Sequence, residues 1–257
     1  MIKKKVKNQK KVIAKSKVVP MNTPAIAPVI EGGLSAKERE RQRLQAMLAE
    51  LDGLPVPPAA TAVIPHDLVA LDLGCGDNKI GLDFFEPNMQ VTGVTKVIGV
   101  DFVKTPSVDV VHDLTQFPYP FADDSIDVVF ASHFFEHLDG LQRIKFMDEC
   151  YRIMKPEAKM RLIHPYGKST RFFQDPTHKF PPIIEDSYFY FWKKWRVDNK
   201  LTHGFYNMKC DFDFFIGYAW HDPTFENKSP EAKVYPMQHE WNIIADLHVT
   251  LVKKVGR

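Results

Sequence analysis

The segment Leu71-Asp72-Leu73-Gly74-Cys75-Gly76-Asp77 sets the tightest limit on what this chain can fold into, because it places a Gly-x-Gly directly at the end of an apolar run. Glycine at such a place lets the backbone turn sharply and lets a ligand lie against the main chain with no Cβ in the way. A dinucleotide fold asks for a third glycine three positions after the second, where the helix packs and a pyrophosphate sits. That position is Lys79, so the phosphate reading loses ground. A purely structural tight turn also fits the two glycines taken alone.

The segments that follow narrow the choice. Val97-Ile98-Gly99-Val100-Asp101 is a second apolar run that ends in a carboxylate, 25 residues after Gly76. That spacing suits an acid bonding the ribose hydroxyls of a nucleotide-like ligand. A third run, Val108 to Val111, leads into His112-Asp113-Leu114, where a carboxylate can accept from an adenine amino group and a leucine can cover the ring. Short apolar runs alternating with helical stretches predict a parallel sheet with crossover helices. Strands are expected near 68–73, 97–101, 108–111, 126–132 and 159–164, and a helix near 139–155 ending at Lys155-Pro156. Asp211 to Trp220 and Trp241 to Val252 alternate apolar and polar residues and are expected to pair as an antiparallel edge hairpin, beyond an aromatic-rich insertion at 165–207.

Charge separates the chain into parts. Residues 1–17 hold eight lysines and no acid, and removing those eight charges from the formal total of +2 leaves −6 on the remainder. A basic face spread over the whole domain is disfavoured, and any nucleic-acid affinity is expected only in the arm. Residues 1–34 read as a disordered basic arm, which also serves as a plain solubilising tail. Ser35-Ala36-Lys37-Glu38 has capping-box spacing, and Leu44, Met47, Leu48 and Leu51 recur at helical spacing before Gly53, Pro55, Pro57 and Pro58. Residues 35–60 are therefore expected to be an amphipathic helix and Pro-rich linker, with the main domain over 61–257. Three widely spaced cysteines, Cys75, Cys150 and Cys210, form no disulfide framework, and a reducing, cytoplasmic setting is the expectation. No stretch approaches the ~18 apolar residues of a membrane span.

In the order and spacing of LDLGCGDNK (71–79), VIGVD (97–101), VVHDL (110–114), FPYPFADDSIDVVFASHFFEHL (117–138) and YRIMKP (151–156), the sequence resembles the class I S-adenosylmethionine-dependent methyltransferases, in particular their type 11-like group. The resemblance implies an α/β, Rossmann-like, doubly wound and mostly parallel seven-stranded sheet with an antiparallel C-terminal edge, and S-adenosylmethionine as cofactor. It implies that Asp72, Gly74, Cys75 and Gly76 hold the methionine part, Asp101 and Phe102 the ribose side, and Asp113 and Leu114 the adenine. Ser132 and His133 would line the reaction centre. Asp83-Phe84-Phe85-Glu86-Pro87 departs from the pattern by interrupting what should be a simple helix.

His133-Phe134-Phe135-Glu136-His137 also matches H-x-x-E-H, a zinc-hydrolase signature with two histidines on one helical face. No clear third ligand accompanies it, so no metal ligand is assigned and Glu136 and His137 are read as packing residues. Farther on, Asp175-Pro176-Thr177-His178 is a compact polar loop in an aromatic neighbourhood, suited to an acceptor or to a plain Asp-Pro turn. Tyr188, Phe189, Phe191, Trp192 and Trp195 read as a lid packed on the core.

Methyl transfer to a hydroxyl needs a base, for which His133 and His178 are the candidates. The position after strand four reads Ala131-Ser132-His133-Phe134, without the Asn/Asp-Pro-Pro-aromatic run of similar amino-methylating DNA enzymes, and no Pro-Cys pair serves cytosine C5 chemistry. A small-molecule, sugar or glycan-precursor acceptor is expected, with a non-catalytic cofactor-binding protein as the alternative.

Overall fold

Leu68–Leu73 (β1) and Ile126–Ser132 (β4) are apolar on both faces, and such strands are stable only inside a sheet covered on both sides. A computed structural model describes residues 67–255 and pairs these two strands in parallel, Leu71 opposite Val129. The basic arm, the amphipathic helix and the Pro-rich linker expected over 1–60 lie outside the described residues.

Five further strands complete the sheet: Val94–Asp101 (β2), Val110–Val111 (β3), Met154–Pro165 (β5), Phe212–Trp220 (β6) and Ile244–Lys253 (β7). Their order is β3-β2-β1-β4-β5-β7-β6. β7 runs antiparallel to both β5 and β6, and the other pairings are parallel. The last two runs therefore do pair as an antiparallel edge, with β7 inserted next to β5 rather than outermost. Successive strands are added to one side of β1 up to β3 and to its other side from β4, and ligands of open α/β sheets bind at the carboxyl edge of such a switch point.

Period-two alternation decides what each face carries. Leu71 and Leu73 pack with Val129 and Ala131 in the larger core cluster, whereas Ala70 and Val128 pack on Phe85 and Met89 of a short helix, Phe85–Met89 (α1). The larger cluster is covered by Gly140–Ile153 (α2), which buries Phe146, Met147, Cys150 and Ile153. Asp139 caps α2: its Oδ1 accepts from the Leu141 and Gln142 amides, each at 2.9 Å, while the Gln142 side chain accepts from the Asp139 amide.

Several boundaries differ from the expected ones for local reasons. α2 ends at Ile153, not at Lys155-Pro156, because Met154 already pairs with Ile126 and begins β5. β3 keeps only two residues, since Val108 closes a turn onto the Thr105 carbonyl. The interrupted stretch after the glycines is a 3₁₀ turn, Leu82–Phe84, followed by α1, which stops at Gln90 in left-handed backbone. The insertion holds Thr170–Gln174 (α3), a 3₁₀ stretch at Glu185–Phe191 and Lys193–Asp198 (α4). Its aromatic stripe does pack on the core: Tyr188 is fully buried, its hydroxyl 2.6 Å from His164 Nε2, and Phe189 meets Phe214 of β6. A last helix, Pro230–His239 (α5), lies between β6 and β7. All three cysteines are buried and free. Among the described residues no helix is long and apolar enough to cross a membrane.

Candidate functional site

The turn after β1 is built from two residues that only glycine suits. Gly74 has φ +74° and Gly76 φ +51°. A Cβ on Gly74 would meet Phe134 Cβ at 2.9 Å, closer than side chains tolerate, whereas a Cβ on Gly76 would project into open space. The Gly74 amide donates to the Val100 carbonyl at 2.8 Å, which fastens this turn to the end of β2.

Asp101, at that end, clamps the same turn. Its Oδ2 accepts from the Gly76 amide and its Oδ1 from the Val103 amide, each at 3.0 Å. A carboxylate has about four acceptor positions, so lone pairs on both oxygens are left for ligand hydroxyls. Asp72 is buried and accepts from the Ile80 amide at 2.9 Å. Burial pushes its carboxyl up to about 6, against the smaller opposing pull of that hydrogen bond. Asp113 turns one oxygen onto the Thr115 amide and hydroxyl, which hold its carboxyl below the usual range.

A cleft of about 510 Å³ opens over these strand ends. Of the expected site residues it is lined by Gly74, Asp101, Phe102, Asp113, Leu114 and His133. Phe102 is 71% exposed at the rim, which marks a large apolar ring left without a partner beside a polar strand end. Asp72, Cys75, Gly76 and Ser132 stand outside that lining. The Cys75 thiol is turned towards Gly99 and the Ser107 carbonyl, and burial raises it to about 11, so it is an inert packing group.

The opposite wall comes from the turn after β4. His133 sits in left-handed backbone at φ +52°, a conformation a non-glycine residue adopts rarely and that gathers at working sites. Its ring is half exposed, with Nδ1 3.3 Å from Oε1 of Glu136, and the nearby carboxylate holds the imidazole above its ordinary value. Residues Phe135–His137 form a 3₁₀ turn. His133 and His137 therefore do not share a face of an α-helix, and the zinc-hydrolase reading of H-x-x-E-H loses its geometry.

Glu136 is fully buried, as the packing reading has it, but His137 lines the cleft together with Phe134, Leu138 and Thr115. None of these four is among the site residues expected from the sequence. Thr115 was legible in principle, because Asp-x-Thr directly after a strand is the signal of a side-chain-closed turn. His178 is not in the lining, and its side chain is largely covered: Nδ1 faces the Phe172 carbonyl at 2.7 Å and Nε2 faces Glu136 Oε1 at 3.9 Å. Arg143 joins the two segments, donating to the carbonyls of Phe135, Glu136, Lys179 and Pro181.

A two-glycine turn with one open Cβ direction, a strand-end acid with lone pairs to spare and an exposed ring at the rim can accommodate a ligand with hydroxyls and an apolar face. Residues 71–162 match the family model described as a methyltransferase domain. Among solved structures, an S-adenosylmethionine-dependent methyltransferase from Archaeoglobus fulgidus is 21% identical, with TM-score 0.48 over 83% of this chain and 94% of that one. The complex between the Haloferax volcanii Trm112 methyltransferase activator and a methyltransferase gives 16% identity and TM-score 0.43 over 86% and 93%. A Galdieria sulphuraria protein described as a sarcosine dimethylglycine methyltransferase gives 15% and 0.45 over 85% and 86%. No curated protein matches the chain.

Proposed function

We propose that the chain is a class I S-adenosylmethionine-dependent methyltransferase, with that compound as its cofactor, and that it methylates a hydroxyl of a small-molecule, sugar or glycan-precursor acceptor. One observation carries the choice of a hydroxyl: His133 presents a half-exposed imidazole to the cleft while its Nδ1 is turned to the buried Glu136. With Nδ1–H directed at the carboxylate, the lone pair is on Nε2, the nitrogen free to receive a proton. His178, without a cleft-facing nitrogen, serves as a positioning residue.

When bound, the cofactor supplies a methyl carbon made electrophilic by its sulfonium. The protein's part is alignment and exclusion of water, and positioning alone supplies much of the acceleration in such displacements. Gly74 and Gly76 let the main chain approach the methionine end, with Asp72 behind them; Asp101 accepts from the ribose hydroxyls. Asp113 and Leu114 take the adenine edge and face, and Phe102 and Phe134 dry the cleft. His133 Nε2 would take up the proton that the acceptor hydroxyl gives up on methylation.

Any polyanion affinity belongs to the lysine arm in this reading, because the remainder of the chain is acidic. The test is a heat-shift measurement with S-adenosylmethionine and its demethylated product, followed by product release with a panel of hydroxyl, amine and carbon acceptors. Stabilisation by both compounds and release only with hydroxyl acceptors is the expected result. A folded sample stabilised by neither overturns the cofactor site, and release only with amines or carbon acids overturns the O-methylation.

A further inference from the structure

Glu136 poses a problem that methyl transfer does not resolve. Its carboxylate is fully buried, and neither oxygen has a hydrogen-bond partner of acceptable geometry. An ionised carboxylate left so costs several kcal/mol in a low-dielectric interior unless a positive group compensates it. Arg143 is near but spends its donors on four backbone carbonyls. His133 faces one oxygen at 3.3 Å from the cleft side.

Two more nitrogens converge on this place, and their protonation is fixed by what lies behind them. His178 Nδ1 is 2.7 Å from the Phe172 carbonyl, an acceptor only, so Nδ1 carries the proton and Nε2 holds the lone pair. His137 Nδ1 is 2.9 Å from Thr177 Oγ1, whose single proton goes to Asp175 Oδ1 at 2.7 Å. The threonine oxygen is thus an acceptor towards the ring, and His137 too carries Nδ1–H with its lone pair on Nε2. Two lone-pair nitrogens and a carboxylate without a hydrogen bond are drawn to one point. Ligand atoms of Glu136, His137 and His178 all lie within 4.8 Å of one another.

We propose that Glu136, His137 and His178 bind one divalent transition-metal cation of the Zn²⁺ type in the cleft wall. Two imidazoles and one carboxylate suit a cation of borderline softness, and three protein ligands leave a coordination position open, as in sites that bind a further oxygen ligand. Metal bonds of ~2.0–2.2 Å require ligand atoms about 3–4 Å apart, so side-chain rotations that close the widest pair, now within 4.8 Å, by about 1–1.5 Å would complete the site. The carbonyl behind His178 and the Thr177–Asp175 pair behind His137 are the outer partners that orient ligating imidazoles. Asp175 Oδ2, 3.8 Å from His178 Nε2, offers a further oxygen on the open side. This set is not the H-x-x-E-H arrangement: His133 is outside it, and the glutamate is a ligand instead of a base. Metal binding stands on these side chains alone; only the use of the open position for an acceptor oxygen rests on the methyl-transfer reading.

The test uses the full chain without an affinity tag, stripped by chelator and titrated with Co²⁺, whose visible absorption reports its ligands. One equivalent of Co²⁺ displaced by Zn²⁺ is expected, and Glu136→Gln and His178→Asn should each weaken binding at least tenfold. Thr177→Val should weaken it about tenfold through the orientation of His137. Wild-type protein that is stabilised by S-adenosylmethionine yet binds no Co²⁺ overturns the metal site and leaves the methyltransferase reading intact. Affinity unchanged in both ligand variants overturns it equally. Where a variant does not fold, X-ray absorption on the Zn²⁺-loaded wild type decides: a shell containing imidazole is expected, and one without it rejects the site.

Discussion

The two walls of the cleft are made differently. On the side of β1, β2 and β3, the work is done by backbone and by acids at strand ends: the Gly74 amide on the Val100 carbonyl, and Asp101 on the Gly76 and Val103 amides. On the side of β4, side chains far apart in sequence hold one another, with Thr177 on His137, His178 beside Glu136, and Arg143 spanning residues 135–136 and 179–181. A wall made of backbone turns and strand ends tolerates few substitutions at few positions. A wall made of long-range polar contacts fails wherever one member leaves the others buried and unpaired.

Arg143→Leu tests that contrast most severely. It removes the donors for four carbonyls in a buried setting, and a loss of roughly 3–5 kcal/mol is expected from breaking a buried charged network. Urea unfolding should show it, and a loss under 1 kcal/mol would mean that the second wall does not depend on the arginine. Next comes Gly74→Ala on the first wall. The added Cβ meets Phe134 and must hold φ +74°, so cofactor affinity should fall at least 100-fold by calorimetry. Adding Phe134→Ala should recover part of it, because the contact but not the backbone angle is relieved.

His133→Ala separates the walls by function. Turnover should fall about 100-fold, in the range for a proton-transfer group, while cofactor affinity stays within twofold. A comparable loss of cofactor binding would move His133 to the cofactor wall.

Asp72→Asn acts through pH. Its carboxyl is raised from 3.8 to about 6 in the folded protein, so between those values the native state holds more protons than the unfolded one and stability falls as pH rises. Above about pH 6 the full penalty applies, up to about 3 kcal/mol for a shift of this size. The asparagine variant should match the wild type near pH 4 and be more stable at pH 7.5 without cofactor, yet bind cofactor more weakly. Equal urea midpoints at both pH values would show that burial costs Asp72 nothing. The smallest effect on the cleft is expected from deleting residues 1–34, which should abolish salt-sensitive polyanion binding and leave cofactor affinity unchanged.

The difference between the walls also explains what could be read in advance. β1 and β4 were expected at the bounds the structure has, because strands apolar on both faces leave one placement in the sheet. The antiparallel edge followed from period-two alternation, though not the insertion of β7 beside β5. Gly74, Asp101, Asp113 and Leu114 were placed by their position at strand ends. Cys75 lies between the two turn glycines and is expected with them, but strand-end position does not say which way a side chain turns, and its thiol faces the Ser107 carbonyl. The packing reading of His137 rests on its place just after a central strand without a clear third ligand, and local sequence does not show that the turn faces the cleft.

From the sequence by itself came the parallel sheet, the glycine turn and the acids at its edge, since each depends on residues within a few positions of one another and on a periodicity that a single strand displays. Only the tertiary structure decided how Glu136, His137 and His178 meet. Forty residues separate the two segments, and the protonation of both rings is set by a carbonyl and a threonine that reach them through the folding of the insertion. A local pattern records the path of the backbone, whereas the chemistry of a buried carboxylate depends on what the rest of the chain brings to it.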